Sequence, residues 1–235
     1  MTNTFLTVSP GLPAALPSPS RLLARRALKH RGFMISFLML LIVGLVALFA
    51  PLLAPYDPNK QDLLSRLSPP VVLGGDWKHL LGTDALGRDY LSRLIYGARV
   101  SLLIGFTAAV ISAVIGTVLG VLGGYFGGKV DTVVMFIVSV RLALPATLVA
   151  LAVVALFGGS LTVVVAVLGL LLWDRFAIVL RSATMQVRQM DYIAAAEVLD
   201  AGLPRILVKD VLPNVMNQLI VIITLEMAHA IILNV

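Results

Sequence analysis

From Phe33 to Ala54 the chain runs for 22 residues without a charge, and residues 100–128 are uncharged as well. At ~1.5 Å per residue, a helix made of the shorter run is about 33 Å long, enough to cross the hydrocarbon core of a bilayer. Runs of this kind constrain the chain to an all-α fold, a polytopic bundle of transmembrane helices. Composition agrees: 59% of residues are hydrophobic, 13% are charged, and the mean hydropathy is +1.00. A soluble domain of 235 residues does not need so much apolar surface.

The net charge of +6 does not point to nucleic acid, because the basic residues are not interleaved with aromatics. Arg21, Arg25, Arg26, Lys29 and Arg31 sit together just ahead of the first apolar run, with no acid among them. A basic flank of this kind is a topology signal and predicts a cytoplasmic N-terminus. Residues 1–20 lack charge, are rich in Pro, Ser and Thr, and read as disordered, so that 1–32 form a cytoplasmic tail. The apolar run is too long for a secretory signal and reads as an uncleaved first span, 33–54. There is no cysteine, which excludes disulfides and thiolate metal sites, and the three histidines form no ligand motif.

Residues 55–99 are polar, with six basic and five acidic side chains, and read as an external loop. The core, 100–235, opens with a span over 100–128. In it Ala108, Ser112, Gly116, Gly120, Gly124 and Gly128 recur every four residues, a spacing that lines small side chains along one face where another helix can approach closely. A third span is expected from about Thr132 to Phe157, interrupted by Arg141 and Pro145. A fourth begins at Leu161 and ends between Trp173 and Leu180, and a fifth runs from about Val215. Between the last two lies a mixed-charge cytoplasmic segment, 181–212. No Gly-rich phosphate loop occurs, so any ATP-driven work must draw on another chain.

Within that segment residues 191–203 have the pattern of a short capped helix. Asp191 reads as its N-cap and Gly202 as the residue that stops it, with Pro204 beyond. Tyr192, Ala195, Ala196 and Leu199 share one face. Spacing alone leaves open whether this helix docks on a partner or packs under the bundle.

The run Asp191-Tyr192-Ile193-Ala194-Ala195-Ala196, followed by Leu212-Pro213-Asn214, resembles the EAA loop of ABC importer permeases. Other stretches resemble the dipeptide/oligopeptide/nickel branch of those permeases. They are His79-Leu80-Leu81-Gly82-Thr83-Asp84, Gly87-Arg88-Asp89, Ser92-Arg93, Tyr96 to Leu102, Gly123 to Gly128 with Asp131, and Trp173, Ala177 and Arg181. The likeness covers about residues 30–235. It implies the importer-permease (MetI-like) fold in the bacterial inner membrane, with 191–203 as the helix that couples to an ATPase. It also implies a second permease, two ATPase subunits or domains and an external solute-binding protein, with ATP and Mg bound on the ATPases and no cofactor on this chain. The family pattern has a sixth span, and the chain is expected to lack it, which would make it a truncated form.

Several residues depart from the family. Its EAA Glu falls on Ala194 and its Gly on Asp200, and Ser139 stands where an Asp precedes the third-helix proline. Glu197 and Gly202 are expected to substitute in part for the first two. Arg141, Glu226 and His229 lie within apolar spans, where ionised groups are costly unless they face a cavity or a partner. They are the candidate pathway residues, Glu226 and His229 sharing a face. Asp174-Arg175 reads either as another such pair or as the cap of a shorter fourth helix. A secondary transporter or channel, and a permease for a non-peptide solute or an exporter, remain the alternatives. A membrane enzyme is weaker, since neither a nucleophile motif nor paired carboxylates are found.

Overall fold

A computed structural model describes residues 29–233. The tail expected to be disordered and the basic residues Arg21, Arg25 and Arg26 lie outside them. Helix α1 spans Arg31–Leu48 and is capped by His30, whose Nδ1 accepts from Phe33 N at 3.1 Å. The expected first span then breaks: a one-turn helix α2, Ala50–Leu53, carries a proline in its first turn, where a missing N–H costs nothing.

Helix α3, Tyr90–Phe126, is 37 residues long and starts ten residues ahead of the expected boundary at 100. The polar loop is shorter by those ten residues, nearly three turns, because Asp89 caps the helix from within it. The third span is a bent pair, α4 (Gly128–Ala143) and α5 (Ala146–Phe157), with 76° between the two. Pro145 at the bend removes an N–H and cannot continue α4.

The fourth span does not stop near Trp173. Helix α6 (Leu161–Leu171), capped by Ser160, bends at Leu172 and runs on as α7 (Trp173–Arg188), 28 residues in all. Asp174 therefore sits in the first turn of α7 rather than closing α6. Helix α8 is Asp191–Val198, and α9 (Leu203–Arg205) leads through a π-helical stretch, Ile206–Val211, into α10 (Leu212–Leu233). Among the described residues four stretches are long and apolar enough to cross a membrane, or five with the bent pair counted as one.

Helix α3 is the hub, packing on α7, α10, α6, α1 and α4. Its seam with α7 is a register of fours on both sides. Ser112 Oγ donates to Gly169 O at 2.8 Å. A Cβ placed on Gly116, Gly120 or Gly124 would lie 2.5, 2.6 and 2.5 Å from the carbonyl oxygens of Trp173, Ala177 and Arg181. The two helices thus run parallel with backbones in contact, which small residues alone permit. Gly128 does not belong to this seam: it opens α4 after the turn, at φ +50°, with open space around it.

Apolar side chains fill the rest. Val121 and Tyr125 of α3, Leu180 and Val187 of α7, Ile193 of α8 and Val211 and Val215 form the largest cluster. Phe176 packs with Ala113 and Ile222, and Trp173 with Val138 of α4.

The seam predicts a contrast between two glycines of α3. Gly120→Ala overpacks a backbone contact and should cost about 1–3 kcal/mol, read as a lower Tm in detergent. Gly97→Ala, whose added methyl meets nothing within 4 Å, should leave Tm unchanged or raise it slightly.

Candidate functional site: coupling helix and intramembrane ion pair

The loop ahead of α3 is a folded unit tied to the helix start. Asp89 Oδ2 accepts from Ser92 N at 2.8 Å and Ser92 Oγ at 2.7 Å, while Oδ1 lies 2.9 Å from His79 Nδ1. Ser92 Oγ accepts in turn from Tyr56 N at 3.1 Å, and the Tyr56 ring lies 5.0 Å from that of His79. Burial pushes the Asp89 carboxyl up, but these donors outweigh it and hold the group below the usual carboxylate range. Gly82 and Gly87 have φ of +75° and +74°, and a side chain on either would strike the carbonyl of Ser68 or Asp62.

Asp84 is the second knot. It accepts from Leu86 N and Arg88 N at 2.9 Å each, from Arg88 Nε at 2.8 Å and from an Arg93 Nη at 2.5 Å. Burial raises its carboxyl, yet the N–H groups of Arg88 and Leu86 and the Arg88 guanidinium bring it down to about 2. An unfolded Asp titrates near ~3.9, so the network stabilises the loop at all pH above that and loses its contribution as pH falls through about 2. Hydrogen exchange over residues 62–88 should be faster in Asp84→Asn than in the wild type at pH 7. The difference should close as pH approaches 2.

Helix α8 lies against the ends of α3 and α7. Met190 is its N-cap, with no side-chain cap bond, so Asp191 is the first helical residue rather than the cap. Ile193 is fully buried against Leu180, Val187 and Val211, and Ala196 is half-buried beside it. Tyr192, Ala195 and Leu199 point outward together with Val198, Leu199 at 81% exposure. The face expected from the sequence therefore divides: Ala196 turns inward, and Val198 joins the open side.

Glu197 does not replace the absent Glu at 194 as a capping group. Its Oε1 accepts from Tyr125 Oη at 2.7 Å, tying α8 to the end of α3, and Arg188 lies over the Tyr125 ring at 5.6 Å. Gly202 does not stop the helix either; at φ −56° it is the N-cap of α9. The stop is Asp200, at φ +54°, with Asp200 N donating to Glu197 O and Ala201 N to Ala196 O. That is a Schellman turn with Asp in the left-handed position that glycine fills best. Asp200→Gly should therefore stabilise the turn by about 1 kcal/mol, slowing amide exchange at Asp200 and Ala201 about fivefold.

Of the three candidate pathway residues, the structure brings two together. Glu226 is 1% exposed; Arg175 Nη1 donates to its Oε1 at 3.0 Å, and His229 Nδ1 lies 3.4 Å from its Oε2. Arg141 stands apart. It donates to the carbonyls of Leu171 and Leu144, the two points where α6 and α4 end, and so ties the bends of both broken spans together. Asp174, beside Arg175, is buried. Asp131 and Arg181 form a two-bond ion pair between α4 and α7, Nη2 to Oδ2 at 2.5 Å.

Sequence reasoning missed Arg175 as the partner of Glu226, 51 positions away, and Tyr125 as the partner of Glu197. Neither pairing has a local signal, although Tyr125 stands inside the Gly123–Gly128 motif.

These features fit a transport subunit: a polytopic helical bundle with a short helix laid across one end and an ion pair of Arg175 with the buried Glu226 inside its apolar spans. Residues 116–234 match the family model described as binding-protein-dependent transport system inner membrane component. Residues 18–70 match the N-terminal TM domain of oligopeptide transport permease C. The chain is 42% identical over 205 residues to the dipeptide transport system permease protein DppC of Escherichia coli K12, covering 87% of this chain and 68% of that protein. It is 40% identical over 217 residues to the di/tripeptide transport system permease protein DppC of Pseudomonas aeruginosa, covering 92% and 72%. A putative peptide transport system permease protein of Brucella abortus is 36% identical over 232 residues, covering 99% and 76%. The chain belongs to the family of binding-protein-dependent transport system inner membrane components. It is accordingly a multi-pass inner-membrane permease subunit of an ABC transporter, forming the translocation pathway, with ATP hydrolysis on partner chains and no cofactor of its own.

Proposed function

We propose that the chain carries small peptides through the inner membrane. It would work beside a second permease subunit, two ATPase subunits or domains and an external solute-binding protein. The observation that carries this reading is the outward face of α8. Ile193 and the Tyr125–Glu197 bond hold the helix to the bundle, while Tyr192, Ala195, Val198 and Leu199 are left open on its far side. An apolar face fixed in position in this way suits a groove of an ATPase. The relatives named as peptide permeases supply the solute class.

The topology supports a cytoplasmic N-terminus. Helices α3 and α7 run parallel, so their C-terminal ends emerge on the face where α8 lies. If α1 crosses once and α3 returns, α1 would start from that same face. With the basic flank ahead of α1 on that side, Lys129, Arg188, Arg205 and Lys209 bring its Lys and Arg above the six of residues 55–99, as the positive-inside tendency expects of a cytoplasmic side.

A secondary transporter would have no use for such a helix, and co-purification of an ATPase separates the two readings. In the assembled importer, Ala195→Asp and Leu199→Asp should abolish peptide-stimulated ATP hydrolysis while insertion and yield stay normal. Full stimulation in both variants would remove α8 from the coupling role.

A further inference from the structure

We propose that Arg175 is a binding station for the terminal carboxylate of the transported solute, presented into an aqueous route by Glu226; this rests on the peptide reading above. Residues Leu161–Arg188 form one 28-residue span, and Arg175 is near its middle. At ~1.5 Å per residue that is about 20 Å from either end of the helix, within the span rather than at a helix terminus. There Arg175 has 56% of its side chain exposed, whereas its partner Glu226 has 1%. A guanidinium within an apolar span is too costly to face lipid, so its open side belongs to water or to an anion.

The geometry leaves that side able to bind. Glu226 Oε1 engages only Nη1, at 3.0 Å. The Nε and Nη2 groups have no partner among the described residues, and they form the parallel donor edge that takes a carboxylate through two bonds. His229, 36% exposed, flanks the same Glu226 at 3.4 Å. Glu226 thus fixes one edge of the guanidinium, offsets its charge at rest and turns the other edge outward. A terminal carboxylate is present in every unmodified peptide whatever its side chains. A single arginine can therefore serve many peptides, and sharing its charge with Glu226 keeps the hold weak enough for release.

The test uses the complete importer, with its partner subunits and binding protein, in proteoliposomes, given trialanine and trialanine amide at saturating concentration. The wild type should favour the acid. Arg175→Gln should lower trialanine uptake about tenfold, the loss of one charge-assisted contact, and leave amide uptake within about twofold. Arg175→Lys, which keeps the charge without the fork, should fall between. An unchanged acid-to-amide ratio in Arg175→Gln overturns the proposal, as does an equal fall for both probes, which marks a structural role. Loss of the second permease from purified Arg175→Gln also overturns it, because an acid of that partner then covers the arginine. If the wild-type importer takes up neither probe, the peptide reading fails first and this proposal with it.

Discussion

The parallel contact of α3 with α7 holds the remaining elements in place. Three glycines set four apart meet three backbone carbonyls set four apart, so the helices touch without side chains between them. In lipid, where apolar burial between helices brings little gain, such van der Waals contact is a main source of association. Everything else is hung on this pair. Helix α10 packs across both, the broken third span is tied to α7 by Asp131–Arg181, and α8 rests on their shared end.

The same two helices link the parts with functional meaning. Tyr125, one residue beyond the last seam glycine, holds Glu197 of α8. Arg181, whose carbonyl faces Gly124, holds Asp131, and Arg175, less than two turns earlier on α7, holds Glu226. A displacement of α8 would therefore be felt at the end of α3 directly. It would reach the Arg175–Glu226 pair through helices that cannot bend independently where their backbones touch.

How much of this could be read from residues follows from how local each feature is. The small-residue face was plain as a period, but the period ran on to Gly128, because spacing cannot show that the chain has already turned at Gly127. The existence of α8 was readable from its helix formers, but its inward face was not, since Ile193 earns its place from Leu180 and Val187 on another helix. The stop was assigned to Gly202 on residue type, whereas Asp200 adopts the left-handed conformation because the Schellman bonds to Ala196 and Glu197 outweigh its strain. Long-range pairs such as Arg175 with Glu226 left only the trace that each charge lay inside an apolar run.

A contact that repeats every four residues has a further property. Sliding α7 by one turn would bring Ala177 opposite Gly116 and Arg181 opposite Gly120, again backbone against glycine, so the groove itself scarcely distinguishes one setting from the next. A polar contact makes the choice. Ser112, which donates to Gly169 O, would meet the carbonyl of Trp173 after a one-turn slip, whereas Arg181 would be carried a turn away from Asp131. The seam behaves like a ruled scale whose marks are alike, and the Arg181–Asp131 pin gives it a zero.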